Sequence, residues 1–169
     1  MTQPRRFPPV RTALTLGALA ALLLVAPTAA SSAQVTHGAF HQFAAGSTQG
    51  LEISGHAVMV RANGRTYVVA NVSGLSTNTA YAVHVHKQAC SATDPVTGLP
   101  TFADGHYQFV PGTGSAYVNA VNEIWPGFTT NAAGIGHGFA QNDGIAGPTA
   151  VSVVVHAPGS AKIACADLS

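Results

Sequence analysis

Apolar and polar residues alternate along most of the chain beyond residue 50, as they do in β-strands that bury one face. Glycine, asparagine and proline, which are typical of turns, separate the alternating stretches. The pattern predicts strands over residues 50–61, 65–72, 80–86, 127–130, 136–140, 150–156 and 162–166. Beyond residue 33, no apolar spacing typical of a helix extends over about eleven residues or more. We therefore expect an all-β fold, a Greek-key sandwich or barrel.

Three connections between these strands have distinct characters. Asn63-Gly64 lies between the first two strands, and both residues tolerate the positive φ that a tight hairpin requires. Residues 90–124 contain many prolines and glycines and predict a long loop, which in a compact domain is commonly functional or disordered. Residues 157–161, by contrast, predict a short connection between the last two strands.

The first 33 residues differ from the rest of the chain. Three arginines precede an apolar run at 13–25, and small residues follow at 28–33. This order is typical of a secretory signal peptide and predicts cleavage after Ala33. A membrane anchor is the alternative, but the run is shorter than the roughly 20 residues that a bilayer requires. We expect one exported domain over 34–169, with no membrane span once the leader is removed.

Charge excludes some classes of partner. The chain has seven lysines and arginines and six acidic residues. Because three of the basic residues lie in the leader, the exported part has four against six, a net charge of about −2 with neutral histidines. Such a domain has no basic surface to neutralise phosphates or anionic lipid headgroups. We expect neither a nucleic-acid partner nor binding to a membrane surface.

Two cysteines, Cys90 and Cys165, lie in the exported part. In an oxidising compartment such a pair usually forms a disulfide. A bridge over this separation would stabilise the fold by about 4 kcal/mol in the loop-entropy model. Two free thiols, or a thiolate metal site, are the alternative, although no Cys-x-x-Cys spacing supports a metal site.

The eight histidines are the main candidates for chemistry. Alternation along the strand at 80–86 places His84 and His86 on one face, beside the small Ala82. Such a pair can bind a metal ion, although two solvated histidines would show the same pattern. His106 follows a glycine in the long loop, and His156 ends the most apolar strand. Taken singly, each of these two could equally be a hydrogen-bonded structural residue.

Together, these motifs resemble the copper/zinc superoxide dismutase family, specifically its secreted bacterial and copper-only branches. The resemblance covers residues 51–168. It rests on motifs in a fixed order: His84-Val85-His86 followed by a cysteine, then Gly105-His106, Gly-Phe-Thr-Thr-Asn at 127–131, Val-Val-His at 154–156, and Lys-Ile-Ala-Cys at 162–165. It implies the family's Greek-key β fold and dismutation of superoxide, the small-molecule substrate, to dioxygen and hydrogen peroxide.

The resemblance also assigns roles to residues. His84, His86 and His156 match three copper-binding histidines of the family, and His106 matches the histidine that bridges to zinc in two-metal members. The resemblance thus implies that all four bind one copper ion, and that His106 also supplies a proton to the nascent peroxide. It implies further that Cys90 and Cys165 form the family's intrasubunit disulfide.

The chain departs from the two-metal members of the family around His106. Between His106 and Trp125 it has no histidine or aspartate, and Glu123 is the only carboxylate. Since tetrahedral zinc needs four donors, we expect no zinc. Glu123 is expected either to accept a hydrogen bond from His106 and orient it, or to be an ordinary exposed loop acid.

Two further departures concern access to the metal. The short 157–161 connection replaces a longer charged loop and implies a more open metal. Lys162 stands where the family usually has arginine near copper, so it is expected either to attract the superoxide anion or simply to be solvated. The other histidines, His37, His41, His56 and His137, have no partners in the pattern. We expect them to be inert, although the first two could bind copper loosely.

We therefore predict a secreted copper-dependent superoxide dismutase. The alternatives are an exported copper-binding module without useful turnover, and a structural sandwich with a degenerate metal site, since fold alone does not establish chemistry.

Overall fold

The structure, a computed structural model, describes residues 32–91 and 101–169. This part of the chain forms eight strands and one helical turn. In chain order they are β1 (Gln34–Gln42), α1 (Ala44–Ser47), β2 (Ser54–Ala62), β3 (Arg65–Ser73), β4 (Ala80–His86), β5 (Phe128–Thr129), β6 (Gly136–Asp143), β7 (Ser152–His156) and β8 (Lys162–Asp167). The expectation of an all-β fold is confirmed.

The strands form one antiparallel sheet that curls into a nearly closed barrel. Their order is β5-β4-β7-β8-β1-β2-β3-β6, so the last strands of the chain insert between early ones. The sheet's two ends meet where β5 packs against β6, and there Gly136 leaves room for the Phe128 ring. This arrangement is the expected Greek-key barrel.

The hairpin predicted at Asn63-Gly64 joins β2 and β3. Both turn residues have positive φ, 51° for Asn63 and 75° for Gly64, as the tight primed turn requires. The two strands then pair without interruption from Ala62↔Arg65 to Ser54↔Ser73. The hairpin predicted from Asn63-Gly64 is therefore present, and its two-residue turn sets the register of β2 against β3.

The first strand was not predicted. The alternating pattern predicts no strand before residue 50, whereas β1 pairs with β2 over 34–39 and with β8 over 40–42. Its more buried positions are Thr36, Gly38, Phe40 and Gln42, and only Phe40 is large and apolar. Gly38 is required here because a Cβ atom would clash with the Asp167 carbonyl. Because β1 packs here through backbone contact and not through apolar side chains, its sequence shows no hydrophobic alternation that would predict a strand.

Several predicted boundaries are also wrong by a few residues. β2 begins at Ser54, β6 extends to Asp143, and β7 begins at Ser152. The apolar residues before β2 and β7, such as Ile53 and Ala150, are buried without belonging to the strands. Burial extends beyond the strands, so hydrophobicity alone misplaced their ends.

The valine-rich core determines which face of the barrel carries the histidines. Val83 and Val85 of β4 pack inside with Val153 and Val155 of β7, all fully buried. Because neighbouring side chains alternate between faces, the histidines of β4 point to the other side, toward the long loop. The barrel interior therefore fixes their direction.

A disulfide ties the long loop to the barrel. Cys90, at the start of the loop, is bonded to Cys165 of β8. Ala103 and Val154 are fully buried in one cluster with Cys165, and Cys90 packs against this cluster. The bridge thus covers the outer face of β7 and β8 with the loop.

The predicted leader remains a prediction, because nearly all of it falls outside the described residues. Within the described ranges, no helix has the length and apolar character needed to cross a bilayer.

Substituting Gly38 tests the close approach of β1 to β8. We expect Gly38→Ala to lower the free energy of unfolding by about 1–3 kcal/mol, because the new methyl group must displace the Asp167 backbone. Gly147→Ala is the matched control, since its Cβ atom would make only an ordinary contact with the Tyr107 hydroxyl. Urea unfolding of the metal-free variants measures both, and equal stabilities would contradict the packing described here.

Candidate metal centre

Four histidines from three parts of the chain meet on the outer face of the barrel, beside the long loop. His84 and His86 lie on β4, His156 ends β7, and His106 lies in the long loop. Each offers one ring nitrogen, and these four nitrogens all lie within 4.8 Å of one another. The structure therefore brings together all four predicted ligands, at separations that a single ion can bridge.

The pairing of β4 with β7 places the strand histidines. His84 is opposite Val154, and Ala82 is opposite His156. The small Ala82 leaves space above the sheet, where a cavity of about 330 Å³ opens beside His84, His106 and His156. Residues 157–160 of the short connection form its rim. A small molecule can therefore approach the cluster from this side.

The long loop brings His106 to the same point by pairing with the end of β4. The Tyr107 amide donates to the Val85 carbonyl at 2.8 Å, and His106 lies opposite His86 in an isolated bridge. The Lys87 amide donates to the Gly105 carbonyl at 3.2 Å. The loop thus extends the sheet, and backbone hydrogen bonds set the position of His106.

Three of the imidazoles have a fixed tautomer. His86 Nδ1 lies 2.9 Å from the Asp104 carbonyl, and His156 Nδ1 lies 3.2 Å from the Ser160 carbonyl. His106 Nδ1 lies 2.7 Å from a carboxylate oxygen of Glu123. Carbonyl and carboxylate oxygens only accept hydrogen bonds, so each Nδ1 carries the proton. In the neutral rings each Nε2 therefore carries a lone pair.

These tautomers create an arrangement that a cation would satisfy. His86 Nε2 and His156 Nε2 face each other at 3.2 Å, with no proton to share while both rings are neutral. His84 Nδ1 is buried and has no hydrogen-bond partner among the described residues. Unpaired buried acceptors are costly, and a bound metal ion would satisfy them. The four nitrogens therefore fit a metal, and all-imidazole sites suit copper, zinc, iron or nickel.

Burial keeps the strand histidines neutral. Burial, together with repulsion from His106 and His156, lowers the pKa of His84 from 6.5 to about 3. Burial also lowers the pKa of His86 to about 2, and it lowers the pKa of His156. At neutral pH these rings are in the unprotonated form that binds metals.

Glu123 lies behind His106 as a fully buried carboxylate, 1% exposed. It accepts hydrogen bonds from His106 Nδ1 at 2.7 Å, Trp125 Nε1 at 2.8 Å and Gln108 Nε2 at 2.9 Å. The Trp125 ring also packs edge-on against His84, with centroids 5.4 Å apart. Glu123 is thus not an exposed loop acid, and its position fixes the orientation of His106.

Lys162 contacts the loop rather than lining the cavity above the cluster. Its ammonium group donates to the carbonyl oxygens of Thr101, Phe102 and Asp104. Lys162 instead lines a separate apolar cavity with Phe43 and Phe102.

The remaining histidines lie away from the cluster. His37 and His41 are exposed on β1. His137 Nδ1 donates to the Asn71 side chain at 2.7 Å, and the amide nitrogen of Asn71 lies 3.1 Å from His56 Nε2, on the exposed face of the sheet. The ligand-capable atoms of these four residues are not part of the four-histidine group.

Sequence reasoning offered Glu123 as a partner of His106 but missed the other groups around the imidazoles. Asp104 and Ser160 act through backbone carbonyls, which leave no side-chain signal. Trp125, the single tryptophan in the chain, lies two residues after Glu123 and could have been noticed for that reason.

Comparisons with known proteins support the fold. No family model matches the chain, and no curated protein matches it significantly. Among solved structures, the chain is similar to the Cu/Zn superoxide dismutase from Brucella abortus, with a TM-score of 0.52 and 19% sequence identity. The match covers 80% of this chain and all of that one. At this identity the likeness shows a common superoxide dismutase fold.

The lowered pKa values predict how the metal-free protein responds to acid. The unfolded chain binds protons at histidine near pH 6.5, whereas folded His84 and His86 bind them only near pH 3 and 2. The unfolded state therefore binds more protons between these values, and stability must fall as the pH is lowered from about 6.5 toward 3. Urea unfolding at pH 7 and pH 4.5 measures the loss.

His84→Gln separates this effect from the titration of carboxylates. The variant should lose less stability than the wild type over the same pH interval, because an amide does not titrate. His37→Gln, at an exposed position on β1, should behave like the wild type. Equal acid sensitivity in all three proteins would contradict the burial described here.

Proposed function

We propose that this chain is an exported, copper-dependent superoxide dismutase with one copper ion at His84, His86, His106 and His156. The observation that carries the proposal is the convergence of four imidazole nitrogens, three of them on rings whose protons are held on the far side by Asp104, Ser160 and Glu123. The likeness in fold to the Brucella abortus enzyme supports it.

The overall reaction converts two superoxide anions and two protons into dioxygen and hydrogen peroxide. Bound copper would supply the one-electron exchange, since imidazole nitrogens suit both of its common oxidation states. The protein's own contribution is to hold the four rings, to leave a cavity open to a diatomic anion, and to provide a proton. The cavity of about 330 Å³ beside His84, His106 and His156 is ample for the substrate.

His106 is the residue best placed to move the proton. Its Nδ1–H is held by the buried Glu123, so only Nε2 is free on the side of the cluster. Nε2 faces the cluster beside the cavity, and it would be able to take up a proton and donate it to a peroxide anion there. Glu123 keeps the ring in place during this exchange, so the proton is delivered from a fixed position.

The surroundings of His106 support a single-metal site. Glu123 occupies the Nδ1 side of His106, the residue that the resemblance matches to the histidine bridging to zinc in two-metal members. Among the described residues, the other group of potential ligands is Cys90, Cys165 and Asp167. Its two sulfur atoms are joined in the disulfide. We therefore propose copper without zinc.

A second candidate function is an exported copper-binding module without useful turnover. The specific observation in its favour is that, among the described residues, no lysine or arginine lines the cavity above the histidines. Lys162, the expected guide for superoxide, donates its hydrogen bonds to loop carbonyls instead. Weak steering of the anion would suit a carrier better than a fast enzyme.

Export is proposed from two features. The predicted signal peptide over 1–33 directs the chain out of the cell. The Cys90–Cys165 disulfide requires an oxidising compartment to persist. The domain over 34–169 would then act outside the cytoplasm.

Metal content tests the proposed site. After loading with copper and zinc together, the purified protein should contain about one copper and no stoichiometric zinc, because one group of four imidazoles is present. The Cu(II) electron paramagnetic resonance spectrum should show hyperfine structure from several nitrogens. Stoichiometric zinc in place of copper, or a spectrum dominated by oxygen ligands, would overturn the proposal.

Turnover distinguishes the two candidate functions. The copper-loaded protein should accelerate superoxide decay well beyond an equal amount of free copper salt. His106→Ala should lower this rate about 100-fold or more, because it removes both a ligand and the proton donor. His137→Ala, on the exposed sheet face, is the control and should retain the wild-type rate. If the wild type is no faster than free copper, the carrier function replaces the enzyme.

A further inference from the structure

The ammonium group of Lys162 has used its full hydrogen-bonding capacity. A lysine ammonium has three N–H donors and no acceptor. Lys162 Nζ lies 2.5 Å from the Asp104 carbonyl oxygen, 2.9 Å from that of Phe102 and 3.4 Å from that of Thr101. Three carbonyl oxygens therefore converge on one cation, and no donor is left over for a substrate.

The segment that supplies these carbonyls has an unfavourable backbone conformation. Phe102, Ala103 and Asp104 have φ of 48°, 70° and 53°, so three consecutive residues other than glycine lie in the left-handed region. Such a conformation is unfavourable for residues that carry a Cβ atom and persists only where the surroundings enforce it. Buried Ala103, packed near the disulfide, holds the segment from one side, and Lys162 holds it from the other.

The same segment reaches the candidate metal centre through one atom. The Asp104 carbonyl oxygen accepts a hydrogen bond from Lys162 Nζ and another from His86 Nδ1. The second bond keeps the proton of His86 on Nδ1 and leaves Nε2 free toward the cluster. A shift of this carbonyl would release the ring to rotate or to change tautomer.

We propose that Lys162 is a positioning residue of the metal centre. Its ammonium group clamps the left-handed segment 102–104, and the Asp104 carbonyl then fixes the tautomer and orientation of His86. The inference rests on the part of the proposed function that places a metal at the four histidines, and it does not depend on turnover. It differs from the anion-guiding role expected from the sequence, which needs a free ammonium group near the substrate.

Lys162→Met removes the charge and the donors while keeping a side chain of similar length. Lys87→Met is the matched control, because Lys87 pairs with the Asp104 carboxylate at 3.2 Å and does not contact its carbonyl. Nitrogen-detected NMR of the histidine rings in the metal-free protein reports the tautomer of His86. Wild type and Lys87→Met should show a protected Nδ1 proton, whereas in Lys162→Met it should exchange with water about tenfold faster or more.

Metal binding supplies the second measurement. In Lys162→Met, copper affinity should fall by about tenfold or more, as is typical when a ligand loses its orienting partner. The Cu(II) spectrum should change with it, and Lys87→Met should leave both unaltered. An unchanged His86 tautomer together with unchanged affinity would overturn the proposal. A change confined to the salt dependence of superoxide decay would identify Lys162 as an anion guide instead.

The wild type offers a test that needs no variant to fold. An ammonium group held by three carbonyls should exchange its protons slowly enough to be detected directly by NMR, and this signal is expected for Lys162. Lys87, about half exposed, should give no such signal under the same conditions. A Lys162 ammonium that exchanges as fast as that of Lys87 would overturn the proposal. Because this measurement needs no metal, it can fail while the proposed dismutase activity stands, and the reverse also holds.

Discussion

The candidate centre depends on one constraint, the direction of the lone pairs on four imidazoles. A histidine ring can present either nitrogen, and the choice follows from the hydrogen bond that the other nitrogen makes. Here two backbone carbonyls and one buried carboxylate hold the protons of His86, His156 and His106 away from the cluster. Two nitrogen atoms consequently face each other at 3.2 Å. Without these partners the same four residues would be ordinary buried histidines.

The barrel makes this arrangement possible because its strands pack an apolar core on one face and are covered by the long loop on the other. Alternation along β4 and β7 buries Val83, Val85, Val153 and Val155 inside. That packing leaves His84 and His86 on the outer face, where the long loop covers them. None of the eight strands lies in the described part of this loop, which is held by the disulfide at Cys90, by pairing with the end of β4, and by the Lys162 ammonium. The apolar core thus sets the direction of the three strand ligands, His84, His86 and His156, and the polar attachments of the loop position the fourth, His106.

Sequence reasoning could predict the features of the fold and site that depend on the type of side chain. Period-two alternation located β3 and β4 closely and put His84 and His86 on one face, and Asn63-Gly64 gave the hairpin. Strand β1 escaped because Gly38 is selected for backbone proximity and carries no hydrophobic signal. The carbonyls of Asp104 and Ser160 could not be predicted, since any residue has one and only the fold decides where it points. The left-handed conformation of Phe102, Ala103 and Asp104 was equally invisible, because none of them is a glycine.

A purely structural barrel has no use for such an arrangement, and this bears on the choice among functions. Four largely dehydrated imidazoles, one with an unpartnered nitrogen, weaken a domain that could fill the same volume with valine. Three consecutive left-handed residues add to that cost, as strain at functional sites commonly does. Natural proteins retain such features where activity requires them and lose them readily otherwise. The orienting partners come from separated places: the loop at Asp104, the buried Glu123, and the turn at Ser160. Since their loss would relieve the strain without harming the core, their joint presence favours a working metal site over a degenerate one.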